Sequence, residues 1–247
     1  MLSKALEKFI KSLKVKRQRE TEGLFIAEGD KVVKELLHSP ILLEEVLAVE
    51  LWIKENERTH NRLGKKMIEV SELEMERISG LQSFTPVLAI GKIPEPKIDE
   101  KKIKKQWSIV LDGIQDPGNL GTILRSANWF GIDTVFCSPD CVDAYNPKVV
   151  QSSMGSLFFI DVVKTDLKTL FTSAEEFPIY AATLNGDDVR KIDFPKAGFI
   201  VIGSEGKGIS DELLSFATQK ISIPSFSKAE SLNAAIAAGI ICYELRK

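Results

Sequence analysis

Near the start of the chain, apolar residues fall at Leu6, Phe9, Ile10 and Leu13, the spacing of one helix face, and most lysines of that stretch lie elsewhere. The pattern predicts an amphipathic basic helix. Short apolar runs then alternate with helical spacing: 24–27 reads as a strand, 31–38 as a helix, and 46–49 and 67–70 as strands. Ser71 and Glu74 have the spacing of a capping box, so a short helix is expected to open there and close at Gly80, ahead of a last strand at 87–90. Together these elements predict a small α/β domain over residues 1–92.

Residues 93–106 hold Pro94, Pro96 and lysines at 101, 102, 104 and 105 with little apolar content, which reads as a linker or as an exposed loop inside one domain. From 107 onward strand-like runs at 108–111, 134–137, 157–163, 179–182, 199–202 and 220–223 mostly have helical patterns between them. That alternation predicts a second domain over 107–247, built on a largely parallel sheet covered on both faces. Ligands of such sheets bind in the loops beyond the carboxyl ends of the strands.

Composition narrows the class. With 247 residues, 44% apolar and 28% charged, the chain has the length of two domains and the makeup of an ordinary globular protein, which excludes collagenous, disordered and disulfide-scaffold classes. It contains no apolar run long enough to span a bilayer and no apolar leader pattern, so it reads as cytoplasmic. The net charge of −2 is unevenly spread: residues 1–105 carry net +3 and residues 106–247 net −5. Lys14, Lys16, Arg17 and Arg19 belong to a basic N-terminal segment that fits either a solvated helix face or a contact to nucleic acid. Cys137, Cys141 and Cys242 lack zinc-ligand spacing and read as reduced structural thiols. The two histidines, His38 and His60, lie far along the chain from the glycine-rich motifs, against a histidine-dependent hydrolase or a histidine metal site.

Three segments hold the candidate chemistry. In the first, running from Leu111 to Ala127, Pro117-Gly118 makes a turn, Asn119 is suited to cap the following helix, and Arg125 shares a face with Thr122 and Trp129 away from the apolar stripe. The second, Ile200 to Ser210, ends a strand in Gly203-Ser204-Glu205-Gly206-Lys207-Gly208, a turn matching neither the dinucleotide fingerprint nor the P-loop. The third joins Ile223-Pro224 to Ser231-Leu232-Asn233 and a helix over 234–245 rich in small residues, with Ser231 placed to cap and Asn233 in the first turn. Taken singly, each also fits a structural role as a capped helix or tight turn.

In this order and spacing the three segments resemble the motifs of the SpoU/TrmH family of RNA 2′-O-ribose methyltransferases, of the SPOUT class. Arg17-Gln18-Arg19 leading into Gly23-Leu24-Phe25-Ile26-Ala27-Glu28-Gly29 resembles the ribosomal-protein-like substrate-binding domain that precedes many rRNA-directed members. The resemblance implies a parallel α/β sheet with a deep trefoil knot, a topology that no periodicity reveals. It implies S-adenosyl-L-methionine as cofactor, held largely by backbone groups of Gly203, Ile223 and Leu232. It also implies a homodimer without a metal, and functional polar residues at Asn119, Arg125, Glu205, Ser231 and Asn233. Ser225 and Ser227 stand where the family usually has Met and Gly.

The expected activity is methylation of a ribose 2′-hydroxyl, in large-subunit rRNA because of the N-terminal domain. The alternatives are a tRNA substrate or a non-catalytic ribosome-assembly factor. Family logic routes the hydroxyl proton through Arg125, yet a guanidinium keeps its proton. A clamp on the neighbouring phosphate, with Glu205 orienting a cation, either Arg125 or a group of a partner subunit, is the physically easier role.

Overall fold

The structure is a computed structural model that describes residues 2–95, 103–174, 177–228 and 230–247. Half of the linker reading, 96–102, therefore falls outside the described residues. The chain divides into two compact units, Met1–Glu95 with Tyr145–Phe158, and Pro96–Ala144 with Phe159–Lys247. Among the described residues no helix is long and apolar enough to cross a membrane.

The first unit opens with α1 (Lys4–Ser12), whose start is capped by the Ser3 hydroxyl accepting from the Leu6 amide at 3.2 Å. Ile10 and the following Leu13 are fully buried, so the apolar face inferred from spacing is the packed one. A second helix, α2 (Lys16–Glu22), ends at Gly23 in the left-handed region, φ +65, and releases the chain into β1 (Leu24–Glu28). Then follow α3 (Asp30–His38), β2 (Leu43–Ala48), α4 (Glu50–Glu55), α5 (Glu57–Leu63), β3 (Met67–Glu69), α6 (Glu72–Ile78) and β4 (Val87–Lys92). The capping box of Ser71 and Glu74 is present at the start of α6. The short helices α4 and α5 were not legible, since their few apolar positions, Trp52 chief among them, do not sustain a helical period.

The sheet order is β1-β4-β2-β3, with β4 antiparallel to both neighbours and β2 parallel to β3. Against β1 packs α8 (Pro147–Ser152), which belongs to this unit although it lies late in the chain. Buried Phe25 has ring centroids of Tyr145 at 4.9 Å and Phe158 at 5.7 Å. At Gly155, φ +91, a β-carbon would sit 2.4 Å from Cβ of Glu35, so only glycine fits that contact.

Burial redistributes the basic segment. Arg19, expected among the RNA-facing cations, is 1% exposed and donates from Nη1 to the Leu13 carbonyl at 2.9 Å. It ties α2 to the turn after α1 and is not presented to a phosphate. Lys14 is half-buried; loss of solvent lowers its pKa, while the charge of buried Glu28 opposes that shift. Lys16 and Arg17 stay exposed, Lys16 lying 3.7 Å from Glu20.

The second unit contains β5 (Trp107–Asp112), α7 (Pro117–Trp129), β6 (Thr134–Cys137), β7 (Asp161–Lys164), α9 (Leu167–Ser173), β8 (Ile179–Asp188), β9 (Gly198–Gly203), α10 (Asp211–Leu214), β10 (Gln219–Ser222) and α11 (Ala234–Glu244). Its six strands are all parallel in the order β10-β8-β9-β5-β6-β7. The central strands β5 and β9 are buried along nearly their whole length, as strands covered on both faces must be. Phe199 anchors one face, with ring centroids of Phe136, Phe171 and Phe177 at 5.8, 5.8 and 4.9 Å. The run at 157–163 is a strand only over Asp161–Lys164; Ser156–Phe159 forms a 3-10 turn, where a continuous apolar run does not distinguish the two. Cys137, Cys141 and Cys242 are buried and form no disulfide.

Arg19→Ala is expected to cost roughly 2–5 kcal/mol of stability, the range for truncating a large buried side chain. Arg17→Ala, on the exposed side of the same helix, is expected to stay within about 0.5 kcal/mol. Urea unfolding of the two variants checks the contrast; equal midpoints would remove the structural role of Arg19.

Candidate active site

β5 and β9 lie side by side in a register that pairs Asp112 with Gly203, so the loops leaving them start together at one edge of the sheet. The loop after β5 enters α7 and the segment after β10 enters α11, and these two helices pack on each other. At their contact a β-carbon on Gly239 would meet the Ser126 hydroxyl at 3.5 Å, ordinary van der Waals distance that small residues on α11 make available. The three motifs thus meet in space.

The caps differ from the sequence expectation, and the difference relieves the Asn119 side chain of capping. Asp116, not Asn119, caps α7: its carboxylate accepts from the Asn119 backbone amide at 2.8 Å, and Pro117 follows at the first helical position. Asn233, not Ser231, caps α11, its Oδ1 accepting from the amides of Ala235 at 2.9 Å and Ile236 at 3.3 Å. That capping bond fixes the orientation of the Asn233 amide and turns its Nδ2 outward. Nδ2 donates to Oδ1 of Asn119 at 2.9 Å, and Nδ2 of Asn119 donates to the Glu205 carboxylate. A single line of side-chain hydrogen bonds joins the starts of two helices to the turn after β9.

That turn is shaped by glycine. Ser204 and Gly208 form an antiparallel bridge, the Gly208 amide donating to the Ser204 carbonyl at 2.8 Å with φ +68 at Gly208. A β-carbon on Gly203 would lie 2.1 Å from the Gly208 carbonyl carbon, so no side chain fits there. The Ser210 amide donates to Asp112 Oδ2 at 2.8 Å and fastens the far end of the turn to β5.

Gly203, Glu205, Ile223, Ser231 and Leu232 all line one cavity of about 770 Å³, within the range of small-molecule sites. Its walls combine glycines and aliphatic side chains with the charged residues Glu205, Lys207, Lys220 and Glu230. Ser225 and Ser227 hold their own turn, the Ser225 hydroxyl donating to the Ser227 carbonyl at 3.0 Å and accepting from the Ser227 amide at 3.3 Å. Arg125 sits apart, exposed on α7, with no hydrogen bond or ion pair to Asn119, Glu205, Ser231 or Asn233. Within the chain the Glu205 carboxylate accepts from the Asn119 amide and does not pair with Arg125. Among the described residues no group of three or more His, Cys, Asp or Glu is placed to hold a metal.

Sequence reasoning missed Asp116, although an acid directly before a helix-opening proline is itself a cap signal. It also missed Asp112, whose contact with the Ser210 amide depends on tertiary neighbours.

Residues 106–243 match the SpoU rRNA Methylase family, and residues 7–89 match the MRM3-like substrate binding domain. The chain belongs to the SpoU rRNA methylase family. A relative in Bacillus subtilis, the 23S rRNA (guanosine(2553)-2′-O)-methyltransferase RlmP, is 32% identical over 96% of this chain and 94% of its own length. Among solved structures, an RNA methyltransferase of the TrmH family from Porphyromonas gingivalis superposes with a TM-score of 0.87 at 32% identity, covering 99% of this chain and 98% of that one. An AdoMet-bound rRNA methyltransferase from Sinorhizobium meliloti gives 0.86 at 26% identity over 100% of this chain and 95% of the other. In this SpoU member the Asn119, Glu205 and Asn233 contacts join all three motif segments.

The double role of Asn233 is separable. Asn233→Ala is expected to lower stability by about 1 kcal/mol through loss of the cap. Asn233→Asp keeps the cap and loses the donor to Asn119, so thermal unfolding should leave it near wild type. An equal loss in the aspartate variant would shift the stabilising role from the cap to the Asn119 bond.

Proposed function

We propose that this protein transfers a methyl group from S-adenosylmethionine to a ribose 2′-hydroxyl of RNA, with large-subunit rRNA as the substrate. The observation that carries the reading is the Asn233–Asn119–Glu205 line of hydrogen bonds ending at the cavity lined by Gly203, Ile223 and Leu232. The rRNA assignment is supported by the likeness to RlmP across nearly the whole chain, the N-terminal substrate-binding match included.

Gly203, Ile223 and Leu232 are the residues that would hold the cofactor, the glycine by allowing close backbone approach and the aliphatic pair by flanking the nucleoside. When bound, the cofactor supplies a sulfonium methyl open to in-line displacement. The chain's own task is alignment, and orientation of this kind accounts for on the order of 7–11 kcal/mol of a barrier in favourable cases. Ser231 and the amides of Asn119 and Asn233 position the hydroxyl and the loops around it. Arg125, with its guanidinium fork free, grips a neighbouring phosphate and stabilises negative charge developing on the attacking oxygen.

RNA capture falls to Lys16 and Arg17 with the exposed lysines of α1; Arg19 is withdrawn from that set by burial. The same reading includes the trefoil knot of the SPOUT class and a homodimer. In support of the dimer, Trp129, Ile236 and Tyr243 on the packed pair α7 and α11 are 84%, 54% and 56% exposed, an apolar face that a second copy would cover.

Incubation with labelled S-adenosylmethionine is expected to label rRNA isolated from cells lacking the gene, at a single ribose resistant to alkaline hydrolysis. Label in tRNA alone would overturn the substrate, and no label in any RNA would overturn the activity. In single-turnover assays Arg125→Lys should lose about 10²-fold, the scale of removing one positioned donor. A near-normal rate would dismiss the bidentate clamp. Lys16→Ala with Arg17→Ala should reduce the slope of log affinity against log salt by about 1 to 2 while leaving stability unchanged.

A further inference from the structure

At the mouth of the cavity, in the segment that leads from β10 to α11, Phe226 is 88% exposed, the largest exposure among the large apolar side chains described. It sits in the turn that Ser225 and Ser227 close by their mutual hydrogen bonds, so the ring is presented by a braced loop. Burial does not account for it, since the ring contributes nothing to the core.

Among the described residues its ring partner is a cation. The Arg190 guanidinium carbon lies 5.7 Å from the ring centroid. Arg190 is itself held at the end of β8 by a forked pair with Asp188, Nε at 2.9 Å from Oδ1 and Nη2 at 2.6 Å from Oδ2. That pair holds the Asp188 carboxyl down at about 2, so the fork persists across the neutral range. The two bonds use Nε and Nη2 and leave Nη1 without a role in the fork. A flat exposed ring beside a fixed guanidinium with donors to spare is complementary to a nucleotide: the ring to the face of a base, the free donors to a phosphodiester.

We propose that Phe226 is a positioning residue for the RNA substrate, a stacking platform for the base of an unpaired nucleotide at the cavity mouth, with Arg190 gripping the adjoining phosphate. The inference rests on the RNA methyltransferase reading and deepens it: the substrate nucleotide is taken in a single-stranded or splayed-out state. Base stacking requires an aromatic face and not mere apolar bulk, which separates this role from a hydrophobic contact.

The test uses the full chain with Phe226→Ala, Phe226→Leu and Phe226→Trp, none of which alters the core. With rRNA from cells lacking the gene, Phe226→Ala and Phe226→Leu are expected to lose about 5- to 100-fold in kcat/KM, chiefly through KM, and Phe226→Trp to restore it. Cofactor affinity by calorimetry and mass by light scattering should match wild type in all three. Fluorescence anisotropy with a single-stranded oligoadenylate reads the platform independently of methyl transfer. Phe226→Ala and Phe226→Leu should weaken that binding, and an abasic oligomer should bind all forms alike. Failure of the wild type to methylate any RNA, with oligoadenylate binding still dependent on the ring, would overturn the activity and leave the platform standing. Full activity and unchanged oligoadenylate binding in Phe226→Leu would overturn the platform. So would a parallel loss of cofactor affinity, or a change of oligomeric mass, in Phe226→Ala.

Discussion

The site depends on one amide. Asn119 donates to Glu205 and accepts from Asn233, and among short side chains only an amide offers a donor and an acceptor on adjacent atoms. An aspartate there would face the Glu205 carboxylate with like charge, and a serine would not span both partners. Because the Asn233 amide is oriented by its own capping bonds and the Glu205 end admits only a donor, the direction of the whole line is determined. Three segments separated by much of the chain are thereby held in one relation before any ligand enters.

Glycine supplies the other constraint. The turn after β9 folds back so closely that Gly203 leaves no room for a β-carbon, and at Gly186 one would lie 2.6 Å from the Ile221 carbonyl carbon, where β8 and β10 shift register. These close approaches were legible only as a cluster of glycines. What the sequence did carry was the strand alternation, because β5 and β9 are apolar on both faces and announce themselves as continuous runs. The motif residues were legible as well, but their division of labour was not. Asn119 and Ser231 looked like caps because helix ends select the same polar side chains that active sites use. Only the geometry showed Asp116 and Asn233 in those places.

Charge counts misled in the same way. A net +3 over residues 1–105 treats every cation as available, yet Arg19 is spent inside the fold and Lys14 is drawn toward Glu28. Proximity in sequence to Lys16 and Arg17 says nothing about this, since successive residues on a helix point about 100° apart. The charge open to solvent is the exposed subset, and it is smaller than the composition implies.

Neither histidine, His38 or His60, lines this cavity, whose titratable lining is Glu205, Lys207, Lys220 and Glu230. A positioned base contributes about 10²- to 10⁴-fold, whereas alignment of reacting groups is worth more when the geometry is rigid. The architecture is built for alignment: side-chain hydrogen bonds between motif segments, a glycine-shaped turn, and a braced loop at the mouth. Rigidity of that kind has a requirement of its own, because a preorganised site gains nothing from a substrate that arrives disordered. An exposed ring and a fixed guanidinium beside the cavity meet that requirement from the protein's side, ordering the nucleotide by its base and phosphate so that the hydroxyl between them has little freedom left to lose.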